Sequence, residues 1–231
     1  WNDLAAAVKL AEQVIQRGKE AEWNMLLPHW QAILAHCYYS QGNLPAMERI
    51  LQQAETLNAQ LHNPWRYGSW IIAQRVRCWL ARGDLNSASH WAHSYLEQEE
   101  EEPSLLARAV QDISLVRVLL ATARYEEALE RLDQTLQRAR SARREAHVIE
   151  LLVLQSLVYQ ATNEEQAAHA SLTEALSLAQ PEGYIRLFVD EGLPVANLLL
   201  SLKQRRPALE AYIDILLAIF TAEKVISFDA P

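Results

Sequence analysis

Three observations predict an all-α repeat fold for this chain. The composition is dominated by helix formers, a turn-and-helix pattern recurs about every forty residues, and an apolar stripe at helical spacing follows each turn. Glycine (6) and proline (8) are scarce beside Ala, Leu, Glu and Gln, which leaves little material for hairpins. At 231 residues and 50% hydrophobic side chains, the chain can bury a continuous core.

The pattern is anchored at Leu4, Leu44, Leu85, Tyr125 and Glu165, with spacings of 40, 41, 40 and 40 residues. Three residues after each anchor stand Ala7, Met47, Ala88, Ala128 and Ala168, and seven after stand Ala11, Leu51, Ala92, Leu132 and Leu172. This i, i+3, i+7 stripe makes each anchor the start of an outer helix with one buried face. Outer helices are expected near 3–17, 44–60, 84–98, 124–140 and 164–179. Nine residues before the last four anchors stand Ala35, Val76, Val116 and Ser156, and six before stand Tyr38, Trp79, Leu119 and Tyr159. These define inner helices near 26–41, 65–82, 104–121 and 145–161, the fourth being apolar almost all round from Val148 to Val158. Pro64 and Pro103 suit helix starts, where a missing N–H costs nothing. Gly42 and Gly83 suit helix ends. The first outer helix has no inner partner before it, so its face of Leu4, Ala7, Ala11 and Val14 is expected to lack its native cover.

A formal charge of -8 repels a phosphate backbone, so contact with DNA is expected only through a separate domain. Two cysteines, no glycosylation sequon, no basic-then-apolar leader and no apolar run near eighteen residues point to a cytoplasmic location and no membrane. The chain opens at Trp1 and stops at Asp229-Ala230-Pro231, and reads as a piece of a larger protein.

The inner/outer alternation, the small residue at each close contact and the aromatic residue one turn toward the loop resemble the tetratricopeptide repeat, with a period longer than that family's. After the repeats comes Gly183-Tyr184-Ile185-Arg186-Leu187-Phe188-Val189-Asp190-Glu191-Gly192, then Pro194-Val195-Ala196-Asn197-Leu198-Leu199, Tyr212 and Leu216-Leu217-Ala218-Ile219-Phe220. This is similar to the end of the helical sensor domain in MalT-like, LuxR-family ATP-dependent transcriptional regulators of bacteria. The resemblance implies a right-handed solenoid of helix pairs over 1–180, with C-terminal capping helices of the same domain over 181–231. It also implies a domain that takes a small-molecule or protein effector and controls self-association of the full-length protein, between a P-loop ATPase and a helix-turn-helix. Neither flanking domain is in this sequence, and no Gly-x-x-x-x-Gly-Lys occurs, so the chain alone is expected to bind neither ATP nor duplex DNA. A generic peptide-binding scaffold of the tetratricopeptide type is the alternative. Scaffolds that grip a peptide carboxylate carry Lys and Asn along the groove, where this chain has His36, Arg77, Arg117 and Leu157.

No nucleophile–base pair, metal-spaced Cys/His set or Gly-rich loop appears, so no enzyme, cofactor or metal is expected. Cys37 and Cys78 share a register on adjacent inner helices and read as buried small residues, since helix axes stand roughly 8–10 Å apart. His90 and His93, spaced i,i+3, read as a surface pair. The acidic stretch Glu97 to Glu102 reads as a solvated loop, and the basic cluster Arg138, Arg140, Arg143 and Arg144 as favourable charge at a helix C-terminus. Lys203, Gln204, Arg205 and Arg206 read as a solvated connector. The seven tryptophans exceed the needs of a helical repeat, and aromatic faces are common in ligand clefts.

For an effector groove, the inner-helix positions counted from Ala35, Val76, Val116 and Ser156 give His29, Ala32, His36 and Tyr39, then Trp70, Ala73, Arg77 and Leu80. The next two helices give Val110, Ile113, Arg117 and Leu120, then Glu150, Val153, Leu157 and Gln160. His36, Tyr39, Trp70, Arg77, Arg117 and Glu150 are the ligand candidates among them. The equivalent Arg77 and Arg117, with Trp70 and Tyr39, would suit an anionic or polar ligand with a flat or apolar face.

Overall fold

In the computed structural model the described residues are 2–61, 65–97 and 104–223. Trp1, Pro64, Pro103, Glu99–Glu102 and the terminal 229–231 lie outside them, as does the side chain of Trp65. Twelve α-helices and no strand occur among the described residues. The helices are α1 (Leu4–Glu20), α2 (Leu27–Ser40), α3 (Leu44–Ala59), α4 (Trp65–Ala81), α5 (Leu85–Glu97) and α6 (Leu105–Ala121). They continue with α7 (Tyr125–Ser141), α8 (Glu145–Ala161), α9 (Glu165–Ala179), α10 (Arg186–Val189), α11 (Leu193–Lys203) and α12 (Glu210–Ala222). The outer helices start at the five anchors, and every inner helix starts within one residue of its expected place. The first outer helix runs past 17 to Glu20, because Gly18 does not end it. Gly18 lies against Leu27, where an added Cβ would stand 2.8 Å from Leu27 Cδ2.

The stripe read from the repeats is buried. Met47, Ala88, Ala128 and Ala168 are fully enclosed, as are Leu51, Ala92, Leu132 and Leu172, and so are Ala35, Val76, Val116 and Ser156 on the inner helices. Tyr38 and Leu119 are buried too, whereas Trp79 and Tyr159 are only partly covered. Cys37 and Cys78 are buried free thiols. His90 and His93 are both exposed. α1 packs on α2 through Ala11, Ile15 and Gly18, which share one side of the helix with Leu4, Ala7 and Val14; those three are half-buried, and Leu10 faces solvent.

The chain divides into two compact units, one spanning Asp3–Thr122 and the other running from Ala123. In the first, Arg75 of α4 ties α3 to α4. Its guanidinium donates to Glu48 Oε1 at 2.7 Å and, bidentately, to Glu55 at 2.7 and 2.8 Å. Glu48 also accepts from the Cys78 thiol at 3.3 Å and from Arg82 at 3.2 Å. Burial alone would raise the Glu48 carboxyl, but the hydrogen bonds from Arg75 and Cys78 and the charge of Arg75 hold it below its usual range.

In the second unit, α8 is the central element. Val148, Ile149, Leu151, Leu152, Val153, Leu154, Leu157 and Val158 are all buried among α7, α9, α10 and α11. The Gly183–Gly192 segment packs here as a cap. Phe188, Val189 and Asp190 are buried, while Tyr184 and Leu187 stay half-covered. Arg186 pairs with the buried Asp190 and with Glu223 at 2.7 Å, and the Tyr212 hydroxyl donates to the Tyr184 carbonyl.

Candidate functional site

The first unit brings three of the predicted ligand residues into one cluster on α2 and α4. Tyr39 lies one turn after His36 on α2, and the two rings stack at 6.2 Å with 20° between their planes. Arg77 reaches across from α4 and sets its guanidinium carbon 5.4 Å from the centroid of the Tyr39 ring. His36 Nδ1 lies 3.2 Å from Oε1 of Gln74, one turn before Arg77 on the same helix. The arrangement follows from helical spacing, since 36/39 and 74/77 are i,i+3 pairs on helices that pack together.

Trp70 lies two turns before Arg77 on α4 and meets His29 of α2 edge-on, 5.6 Å between centroids at 88°. His29 also contacts Trp30 at 6.3 Å, and burial lowers the pKa of its imidazole. Arg117 occupies the register of Arg77 on α6, and both arginines are more than 90% covered, at 7% and 8% exposure. A hydrogen bond from Gln111 to the Ser69 hydroxyl at 2.9 Å joins α6 to α4 on the same stretch. Glu150 belongs to the other unit, where it is half-buried on α8.

Several of the broader groove positions are core residues instead. Ala32, Ile113, Val153 and Leu157 are buried, Val153 completely, because their helices are covered on more than one side. The groove rule treats the four inner helices alike, and α8 departs from it most.

Other polar contacts were not apparent from the sequence. The Arg75–Glu48–Glu55 network is one, although Glu48 and Glu55 are seven residues apart and so share a face of α3. The Tyr95 hydroxyl donating to the fully buried Asp112 at 3.0 Å is another. A third joins α9 to α11 and its exit: His169 Nε2 lies 2.8 Å from Ser201 Oγ, and His169 Nδ1 faces Arg205 at 3.5 Å and Glu165 at 3.9 Å. Residues 32 and 36 positions apart carry no periodic signal that would pair them.

In that last cluster Ser201 Oγ also lies 2.9 Å from the Leu198 carbonyl, and when the hydroxyl donates there His169 Nε2 is the donor to Ser201. Nδ1 is then the acceptor facing Arg205. Burial, and next the charge of Arg205, lower the pKa of this imidazole, with Glu165 opposing. Among the described residues no group of three or more His, Cys, Asp or Glu side chains is placed to hold a metal ion. None of their helices is long and apolar enough to cross a membrane.

Comparison with known proteins places this architecture. The family model for the MalT-like TPR region matches residues 1–205. The chain belongs to that family. The MalT-like TPR region here is 29% identical to the HTH-type transcriptional regulator MalT of Yersinia enterocolitica over 176 residues, 75% of this chain and 19% of that protein. It is 30% identical to the regulator of the same name from Serratia proteamaculans, with the same coverage. Against that of Yersinia pestis the match is 29% over 201 residues, 84% of this chain and 22% of the relative. The MalT-like region thus spans about a fifth of the length of these relatives.

Proposed function

We propose that the chain is the effector-sensing and protein-interaction region of a bacterial LuxR-family transcriptional regulator that works in the cytoplasm. The observation that carries this reading is the family match across residues 1–205, joined to relatives named as HTH-type transcriptional regulators. The region takes a small-molecule or protein effector and controls self-association of the full-length protein. Contact with DNA belongs to a separate C-terminal domain, and this region needs no cofactor. In this reading the region is a binding element and not an enzyme, and the His169–Ser201 contact serves the packing of α9 on α11.

The effector site in this reading is the His36–Tyr39–Arg77 cluster, with Trp70 and Arg117 beside it on α4 and α6. Tyr39 supplies a flat face, and Arg77 and His36 supply polar groups that covered surroundings make stronger than they would be in water. A ligand with an anionic or polar head and a flat or apolar body fits that combination. Such a ligand acts by preferring one arrangement of the packed helix pairs, since differential affinity alone can shift an equilibrium between two states.

The test is calorimetric titration of the inducing compound into the wild-type chain and into Arg77→Ala, Arg117→Ala and the double variant, with helicity checked by circular dichroism. Each single substitution is expected to weaken binding by on the order of 1–3 kcal/mol, the range for hydrogen bonds to a charged group. Unchanged affinity in a normally helical double variant moves the site elsewhere.

A further inference from the structure

A second cleft lies away from that cluster, between the outer helices α1 and α3 over α2. Its volume is about 480 Å³, within the range of small-ligand sites. Its walls carry Lys19 from α1 and Arg49, Gln52, Gln53 and Thr56 from α3, and Gln31 of α2 contributes from below. No carboxylate lines it, so its side chains bring two positive charges and no negative one. This stands out in a chain of net charge -8. The last turns of α1 and α3 approach the cleft through Lys19 and Gln60. Each helix C-terminus contributes roughly half a negative charge, less than the two full cations supply.

Gln31 gives the cleft its selectivity. The side chain is 3% exposed, and its carbonyl oxygen Oε1 has no hydrogen-bond partner among the described residues. A buried acceptor left unmatched costs about 1–3 kcal/mol, so a native protein seldom keeps one without a use. It calls for a ligand that donates, while Lys19 and Arg49 call for one that is anionic.

We infer that this cleft binds a small phosphate-bearing anion that keeps an O–H donor. Hydrogen phosphate itself has that chemistry, as does a polyol phosphomonoester with a free hydroxyl. The oxygens accept from Lys19 and Arg49 while the O–H donates to Gln31 Oε1. Sulfate has the same shape and charge but no proton at neutral pH, so the site discriminates against it. Arg49 is exposed on the outer helix and Gln31 sits in the interior, so charge attraction and proton reading are separable by mutation.

The experiment is a titration of the ¹⁵N-labelled 231-residue chain with sodium phosphate, glycerol phosphate and sodium sulfate at pH 7 and matched ionic strength, followed by amide shifts. Phosphate is expected to move signals from α1, α2 and α3 saturably, and about tenfold more tightly than sulfate, as one hydrogen bond to a charged ligand provides. Glycerol phosphate binding more tightly than phosphate identifies an organic phosphate as the ligand type, and weaker binding identifies the free ion. Gln31→Leu, of similar volume, is expected to make phosphate and sulfate equivalent, and the surface variant Arg49→Ala to weaken both. Equal affinity for phosphate and sulfate in the wild type, no saturable shift, or an undiminished phosphate preference in Gln31→Leu would each overturn the assignment. Should Gln31→Leu fail to fold, the wild-type phosphate-to-sulfate ratio and Arg49→Ala still decide the matter.

Discussion

The unit spanning Asp3–Thr122 and the unit from Ala123 solve the same folding problem by different means. In the first, the turns before the outer helices carry strong local signals, although Glu22 before α2 is left-handed at φ 57° without being glycine. Asp3, Asn43 and Asp84 cap α1, α3 and α5, each accepting from a backbone N–H at 2.9–3.2 Å, and the turns before α3 and α5 place Gly42 and Gly83 at φ +69° and +70°. In the second, Arg124, Arg144 and Glu164 cap α7, α8 and α9 with no side-chain bond. Ala123, Arg143 and Asn163 occupy the left-handed region without being glycine, at φ 57°, 54° and 62°. The interiors reverse the order. The first unit buries Arg75, Arg77, Arg117 and Asp112, whereas α8 of the second buries an almost unbroken apolar surface. Strong packing tolerates weak turns, and strong turns accompany a core that spends apolar surface on polar groups. Those polar groups include the proposed effector residues, so the proposal puts recognition in the less apolar interior.

The comparison can be broken by substitution, and the largest effect is expected in the apolar unit. Leu154, fully buried on α8, should cost about 3–5 kcal/mol when changed to alanine, from lost burial plus a cavity. Chemical denaturation would register this, and a loss below about 1 kcal/mol would mean that packing does not carry this unit. Arg75→Ala in the first unit strands Glu48 and the partly exposed Glu55, and about 2–4 kcal/mol is expected, at the lower end if water relieves Glu55. Arg75→Met, which keeps the volume, should lose less than Arg75→Cys if shape and not charge dominates.

Turn chemistry gives smaller changes of opposite sign. Gly192 sits at φ 77° and ψ -157°, a region open in practice to glycine alone, so Gly192→Ala should destabilise the cap by about 1–3 kcal/mol. Ala123→Gly relieves a left-handed alanine at the place where the first unit already uses glycine, and should stabilise by about 0.5–1 kcal/mol in thermal melts. The reverse exchange at an exposed, capped turn of the first unit, Gly83→Ala, should destabilise by a similar amount.

Acid should act on both units in sequence. Burial lowers His29 in the first unit and His147 and His169 in the second, below the ordinary 6.5. A histidine whose folded pKa is depressed contributes stability that is present above about 6.5 and is lost as pH falls through the folded value. Both units should therefore lose amide protection, relative to the intrinsic exchange rate, as pH falls below 6.5, and His169→Gln should reduce that loss in the second unit only. Below the ordinary 4.5 of a glutamate, protonation of Glu48 adds a further loss confined to the first unit.

Much of the fold was legible because the repeat reports its own boundaries. Leu44, Leu85, Tyr125 and Glu165 begin helices in the structure as their spacing requires. Gly18, just past the expected end of the first outer helix, lies inside α1, where it permits close approach to Leu27. The candidate site was partly legible: the i,i+3 pairing of His36 with Tyr39 and the reach of Arg77 follow from helical register. Arg75 and Arg77 differ by two positions and so point to different faces of α4, and only packing against α3 reveals that Arg75 is a tie between helices. Contacts such as His169 with Ser201 join helices whose relative rotation no periodicity encodes.

The most direct test of the account is reporter expression driven by the full-length regulator in cells under inducing conditions, comparing wild type with Arg77→Ala and with the exposed control Arg138→Ala. The account predicts that Arg77→Ala fails to induce while its protein level and helicity match the wild type, and that Arg138→Ala induces normally. Full induction by a stable Arg77→Ala protein would contradict it.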